Sequence, residues 1–317
     1  MKTYDVVIIG GGTAGIFAAY ELNKLHPELK IAMIEQGKSI QKRVCPIIAG
    51  KTKGCIKCPS CSIMNGFGGA GAFSDGKFNF TTEFGGWLND YIPSSDVMDL
   101  IEYVDSVNIS FGATKERFST FSPEAIKLEK EALHHDLHLL QASVKHLGTE
   151  KNLKILSNMS EYLESRIDLV CNTTVEHIHK VTDGSYELAI KGAEVIKCKY
   201  LIVAPGRSGA EWFSSECKNM GINLINNQVD IGVRVELPAA VFEHITDVVY
   251  EAKLVYRTKL YGDNVRTFCM NPYGHVVMEN VDGIITVNGH SYSDPSLRSQ
   301  NTNFALLVSN RFTQPFN

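Results

Sequence analysis

Gly10-Gly11-Gly12-Thr13-Ala14-Gly15 satisfies the spacing G-x-G-x-x-G, and a carboxylate, Glu35, follows about twenty residues beyond the last glycine. Each position has a chemical reason. Gly10 permits a tight turn, Gly12 lets the backbone approach a diphosphate with no Cβ in the way, and Gly15 lets a helix lie close on a strand. The helix that starts here offers unpaired N–H groups and its positive dipole end to phosphate, with Thr13 and Ala14 in its first turn. Glu35 can accept hydrogen bonds from ribose hydroxyls, and its charge disfavours a 2′-phosphate. The pattern gains its weight from context, since an isolated glycine-rich hexapeptide is usually only a turn.

A second set of residues has the chemistry of soft ligands. Cys45, Cys55, Cys58 and Cys61 follow the pattern C-P-x8-C-x2-C-x2-C. The C-x2-C-x2-C run has the spacing of a ferredoxin-type iron–sulfur loop, and four thiolates could equally hold tetrahedral zinc. Lys53 and Lys57 would offset thiolate charge. Redox-active dithiols and inert thiols stand as alternatives. Cys171, Cys198 and Cys217 are scattered and read as structural, and Cys269 reads as a core position with a substrate-facing alternative. His134 and His138 stand four apart but lack a third ligand nearby, so solvated or packed imidazoles are expected. Arg234 could pair with a protein carboxylate or with an acidic substrate. No Ser/His/Asp set and no paired carboxylates stand out.

The elements that must position these residues are legible. Val6 to Ile9 is a continuous apolar run, as in a parallel strand buried on both faces. Ile16, Ala19, Tyr20, Leu22 and Leu25 recur at helical spacing, and His26-Pro27 closes that helix. Lys30 to Glu35 is a second strand. From Gln36 to about Trp87, glycine, cysteine and small polar residues predict a long irregular segment, which is usually functional. Helices are expected after Ser94-Ser95, from Ser122-Pro123 to about His134, and within Lys154 to Ser165. Leu137 to Val144 reads as either helix or strand. Strands are expected at Ile167 to Cys171, Val175 to Val181, Ser185 to Ile190, Lys199 to Ala204 and Ile231 to Glu236.

Composition narrows the classes. With 317 residues, 44% hydrophobic, 21% charged and a net charge of -4, the chain can bury one large or two modest cores and lacks a nucleic-acid binder's basic footprint. No stretch approaches the length of a membrane span, and the N-terminus has no signal-peptide pattern, so the cytoplasm is expected. Eight cysteines in such a chain read as thiols, metal ligands or redox groups before disulfides.

Further segments carry a family resemblance. They are Gly66-Phe67-Gly68-Gly69-Ala70-Gly71-Ala72-Phe73-Ser74-Asp75-Gly76-Lys77, Ala204-Pro205-Gly206-Arg207-Ser208-Gly209, Asp230 to Glu236 and Asn303 to Val308. With the opening unit they resemble the FAD-dependent dehydrogenases among the NAD(P)/FAD-dependent oxidoreductases, in the glutathione-reductase-like superfamily. The resemblance implies an α/β fold, with a discontinuous, doubly wound parallel-sheet FAD-binding domain (1–90 and 150–222) and a mixed or antiparallel substrate domain (91–149 and 223–317). It implies that Gly10, Gly12, Ala14 and Gly15 hold the FAD pyrophosphate and Glu35 the adenosine ribose. Gly69 to Ser74 would run beside the pyrophosphate and ribityl chain, Val175 beside adenine, and Ala204 and Gly206 along the cofactor, with Thr13, Gln36 and Ala70 completing the set.

The implied activity is hydride transfer between flavin and a small organic substrate, with NAD(P)H or a ferredoxin-type protein as electron partner. A non-catalytic FAD/iron–sulfur electron-transfer module and an inactive fragment remain open. His146 to Thr149 also matches the family and could line the active-site cavity. Family members continue into a further strand-Gly-Asp segment, whereas this chain stops at Gln314-Pro315-Phe316-Asn317, so we expect a truncated or shortened member.

Overall fold

The computed structural model describes residues 2–281 and 284–311. The chain end at Gln314 to Asn317 lies outside the described residues. The chain divides into two compact units. The first contains residues Met1–Phe73, Leu153–Ile225 and Glu279–Ile285, and the second contains Ser74–Asn152, Asn226–Met278 and Thr286–Asn317.

The first unit is built on a six-stranded sheet in the order Asp168–Val170, Ile31–Ile34, Lys2–Ile9, Ile196–Val203, Tyr186–Ile190, Val175–Lys180. The first four strands are parallel and the last two are an antiparallel extension. Val6, Val7, Ile8 and Ile9 are all buried because both faces of their strand are covered. Val7 and Ile9 join a core with Ala32, Ile34, Ile178 and Leu188, against which Trp212 packs. On the other face, Ile8 lies towards Gly15 of the crossover helix Thr13–Leu25.

The second unit contains a five-stranded antiparallel sheet, ordered Gln228–Pro238, Asn301–Arg311, Asn264–Asn271, Leu254–Arg257, Leu137–Leu139. A three-stranded sheet joins Lys77–Phe80, Ser143–His146 and Phe118–Ser119. The ambiguous Leu137 to Val144 segment is thus two short strands serving different sheets. Pairing of Lys77–Phe80 with Ser143–His146 also draws the chain from Ser74 onward into the second unit. Helix Pro123–Leu133 begins at the expected cap, with the Ser122 hydroxyl accepting from the Ala125 N–H at 3.1 Å. Helix Thr149–Glu164 starts directly after Gly148, earlier than its apolar spacing suggested. His134 ends one helix and His138 lies in a strand, so they share no helix face, and both are exposed.

Candidate cofactor-binding site

The opening turn of the first unit follows its strand as anticipated. Gly10 takes a φ of 103°, and its N–H donates to the Ile34 carbonyl at 2.8 Å, which ties the first strand to the second. A Cβ at Gly10 would overlap the Ala204 carbonyl, and one at Gly15 would overlap the Gly10 carbonyl. Gly12 differs: a Cβ there would meet only Gly69 Cα, at 3.9 Å. Among the described residues nothing forbids a side chain at Gly12, so the open space in front of it is room for a ligand. Gly12 caps the helix without a side-chain cap, and no acidic residue sits in the first turn to compete for the N–H groups.

The second glycine segment lies directly on the first. The Gly68 N–H donates to the Gly11 carbonyl at 2.7 Å, and Gly69 approaches Gly12. Gly10, Gly12, Thr13, Glu35, Gln36, Gly69, Ala70, Ala204 and Gly206 line one cleft of about 260 Å³. A neighbouring cavity of about 160 Å³ shares Gly10, Glu35 and Gln36 with it and is walled by Val175 and Trp212. The pair has the scale of small-ligand sites, roughly 300–1,000 Å³. The first cavity is walled by glycines and helix N–H groups, suited to phosphates, and the second is flatter and more apolar, suited to a base. Ala14 stands exposed in the helix's first turn, and Gly15 acts behind the cleft by seating the helix. Ser74 is not in the cleft lining. It opens the second unit, where its hydroxyl accepts from the Gly76 N–H at 3.3 Å.

Glu35 does more than its motif suggests. It is 6% exposed, and its oxygens accept from three backbone N–H groups: Gly11 at 2.7 Å, Gly37 at 2.7 Å and Gly66 at 2.9 Å. A carboxylate has about four lone-pair positions. Glu35 is therefore first a clamp on three loops, with three of its four acceptor positions taken.

Arg43, which sequence reading passed over, is the complementary clamp. Its guanidinium donates to the carbonyls of Ser62, Ile63, Gly66 and Phe67. Burial pushes its pKa down to about 10, with the Glu35 charge working against that fall. The Gly66 peptide neighbourhood is thus held through N–H by Glu35 and through C=O by Arg43. Asn65 also escaped notice, and Ser208, quoted within a family segment, was given no role. Gln36 donates to both, at 3.3 and 3.1 Å, and the Ser208 hydroxyl donates to Asn65 at 2.6 Å, closing one wall of the cleft. A single polar residue inside an irregular segment, such as Asn65, carries no periodic signal.

Cys45, Cys55, Cys58 and Cys61 line a single cavity of about 200 Å³. All are free thiols, and among the described residues no group of three or more His, Cys, Asp or Glu side chains is placed to hold a metal ion. The expected zinc or iron–sulfur ligand set is therefore not assembled here. The segment folds as successive turns, with the Cys45 carbonyl taking the Ala49 N–H and the Cys61 carbonyl those of Met64 and Asn65. That spreads the thiols around the cavity.

The second unit holds a separate buried polar network. Lys77 lies 3.4 Å from Asp75 and 3.1 Å from Glu251, and donates to the Met270 carbonyl at 2.7 Å. Burial disfavours its charge, but Asp75 and Glu251 outweigh that and raise its pKa. Burial and the neighbouring Glu251 raise that of Asp75, because two carboxylates share one ammonium. His146 stacks on Tyr250 at 4.2 Å, and its Nε2 lies 3.0 Å from the Ser291 hydroxyl.

Burial, with help from the Lys77 charge, pushes His146 down to about 3, so it is neutral in the fold. An unfolded imidazole titrates near about 6.5. The unfolded chain therefore binds a proton that the folded chain refuses, and stability falls as pH drops from about 6.5 towards 3. His290, lowered to about 4 chiefly by burial, acts in the same direction, whereas raised Asp75 opposes it. We expect the urea midpoint to fall on acidification, and His146→Gln to flatten that slope by up to about 1.4 kcal/mol per pH unit. Parallel slopes for wild type and variant would contradict a neutral buried His146.

Comparison with known proteins agrees with the cleft geometry. The model of the FAD binding domain family matches residues 5–44, which span the turn, the helix, the second strand and Arg43.

Residues 5–44 are thus similar to an FAD binding domain.

A search of the curated proteins finds no match. Among solved structures, the chain is similar to NikD, described as an unusual amino acid oxidase essential for nikkomycin biosynthesis, with 11% identity and a TM-score of 0.49, covering 99% of this chain and 72% of that one. It is also similar to glycine oxidase from Geobacillus kaustophilus (12%, 0.44, 100% and 85%) and to L-amino acid deaminase from Proteus myxofaciens (13%, 0.41, 74% and 52%). The match thus spans about half the length of the deaminase. All three likenesses are distant. No helix among the described residues is long and apolar enough to cross a membrane.

Proposed function

We propose that this chain is an FAD-dependent oxidoreductase that acts in the cytoplasm on a small organic substrate, with NAD(P)H or a ferredoxin-type protein as its electron partner. The observation that carries the cofactor assignment is the empty space before Gly12, framed by the helix N-terminus and the Gly69 loop, in a fold where Gly10 and Gly15 are required by their own backbone contacts. The residues fit FAD's nucleotide half. N–H groups of the helix's first turn and of the Gly69 loop would hold the pyrophosphate, Glu35 would offer its remaining acceptor position to the ribose, and Val175 and Trp212 would flank the adenine. FAD supplies the redox chemistry when bound, exchanging a hydride with a substrate carbon. The protein's part is to bind and orient the cofactor through rigid backbone.

Substitution at Gly12 tests this directly. Gly12→Ala adds one methyl where the protein has room, so the melting temperature without cofactor should stay close to wild type. Affinity for FAD should fall at least about tenfold, because the methyl occupies the phosphate approach. Wild type should show flavin absorbance and gain thermal stability from FAD but not from NAD. A colourless wild type that FAD fails to stabilise would overturn the reading, as would a Gly12→Ala variant with undiminished affinity.

A further inference from the structure

The second unit carries a cation that the reading above leaves unused. Arg117, Arg207 and Arg266 each touch a carboxylate. Arg234 does not: among the described residues no carboxylate lies within ion-pair distance of it. Its partners are neutral and fixed. Nε and Nη2 donate to the Asn303 side-chain oxygen at 2.9 and 2.7 Å, and Nη2 donates to the Cys269 carbonyl at 2.8 Å. These bonds hold the plane of the guanidinium without neutralising its charge, and no hydrogen bond engages Nη1 among the described residues. An arginine so oriented is prepared for a planar, bidentate anion.

The surroundings are built at a cost that packing alone does not explain. The strand Asn264–Asn271 shifts register against its partner between Phe268 and Asn271, and within that irregularity Cys269 adopts a φ of 48°. Such left-handed conformations are unfavourable for a residue with a side chain and cluster at functional sites. Here the irregularity turns the Cys269 carbonyl to Arg234. A Cβ at Gly289 would overlap Arg234 Nη2, so that position must stay bare for the guanidinium to sit where it does. Asn271 and Asn303 are completely buried, yet among the described residues Asn271 Oδ1 and Asn303 Nδ2 have no hydrogen-bond partner. Buried polar atoms are nearly always satisfied, so an orphaned donor packed beside an uncompensated cation marks a site whose polar geometry serves something other than packing.

We infer that Arg234, positioned by Asn303 and the Cys269 carbonyl, is a binding subsite for the carboxylate of a small organic acid. The anion subsite is a property of the second unit and rests on the oxidoreductase reading only where the bound acid is that enzyme's substrate. Aspartate at position 303 would place a fixed negative charge against the guanidinium and fill the role of the ligand.

The test uses the purified protein incubated with FAD, titrated with propionate and its neutral isostere propionamide by ligand-observed NMR. Wild type should bind propionate at least about tenfold more tightly than propionamide. Arg234→Gln should abolish that preference, Arg234→Lys should restore part of it, and Asn303→Asp should abolish it while keeping the arginine. Asn303→Asp covers the case in which Arg234→Gln fails to fold. Absence of a preference in wild type, or its survival in Arg234→Gln or Asn303→Asp, overturns the subsite. Flavin content is measured on the same samples. Protein that lacks FAD but prefers propionate sinks the oxidoreductase reading and leaves the subsite standing, whereas protein with FAD and no preference does the reverse.

Discussion

Replacing Glu35 with glutamine should cost the protein both its cofactor and much of its stability. The change is nearly isosteric, so any effect comes from hydrogen-bond chemistry. Glu35 accepts from the N–H groups of Gly11, Gly37 and Gly66 with two oxygens. Glutamine has one oxygen, and its NH2 must then face at least one N–H donor. Leaving a buried donor unmatched costs about 1–3 kcal/mol, and pairing two donors adds repulsion. A loss of about 3 kcal/mol is therefore expected in the cofactor-free protein.

Gly11 belongs to the turn proposed to hold the phosphates and Gly66 leads into the loop beside it, so the same change should weaken FAD binding at least about hundredfold. Arg43 makes the effect larger, since the Glu35 charge helps keep that buried guanidinium protonated. Denaturant unfolding without FAD, and fluorescence titration with FAD, separate the two losses. A variant that keeps wild-type FAD affinity would show that the carboxylate does not organise the turn.

Lys77→Met should be comparably damaging in the second unit. It removes the ammonium between Asp75 and Glu251, whose side chains are each 5% exposed. Breaking a buried ion pair by removing one partner costs about 3–5 kcal/mol, because the charge left behind has neither water nor counter-ion. The loss should depend on pH. Stranded carboxylates can be relieved by protonation, so Lys77→Met should recover part of its stability relative to wild type on acidification from neutral pH. Adding Glu251→Gln removes one stranded charge, and the double variant should be more stable than Lys77→Met alone. Denaturant midpoints at two pH values check both statements. A loss below about 1 kcal/mol with no pH dependence would mean that water reaches the pair.

The sequence by itself determined the opening unit almost residue by residue. The run Val6 to Ile9, the helical spacing to Leu25 and the strand ending at Glu35 are all where the apolar pattern put them, because strand and helix periods are local properties of the chain. The fingerprint glycines were legible for the same reason: their roles follow from backbone geometry within a few residues.

What lies between residues 36 and 87 was legible only as irregular and glycine-rich. Its fold rests on contacts from distant positions, with Arg43 reaching the carbonyls of Ser62 to Phe67 and Gln36 reaching Ser208. Only tertiary structure could show that Glu35 clamps three loops, that Lys77 sits between two carboxylates, and that among the described residues Arg234 lacks one and four closely spaced cysteines line a cavity without forming a ligand set. Periodicity reports which face of an element is buried. Charge compensation and hydrogen-bond satisfaction depend on which segments meet, and that is decided by the folded chain as a whole.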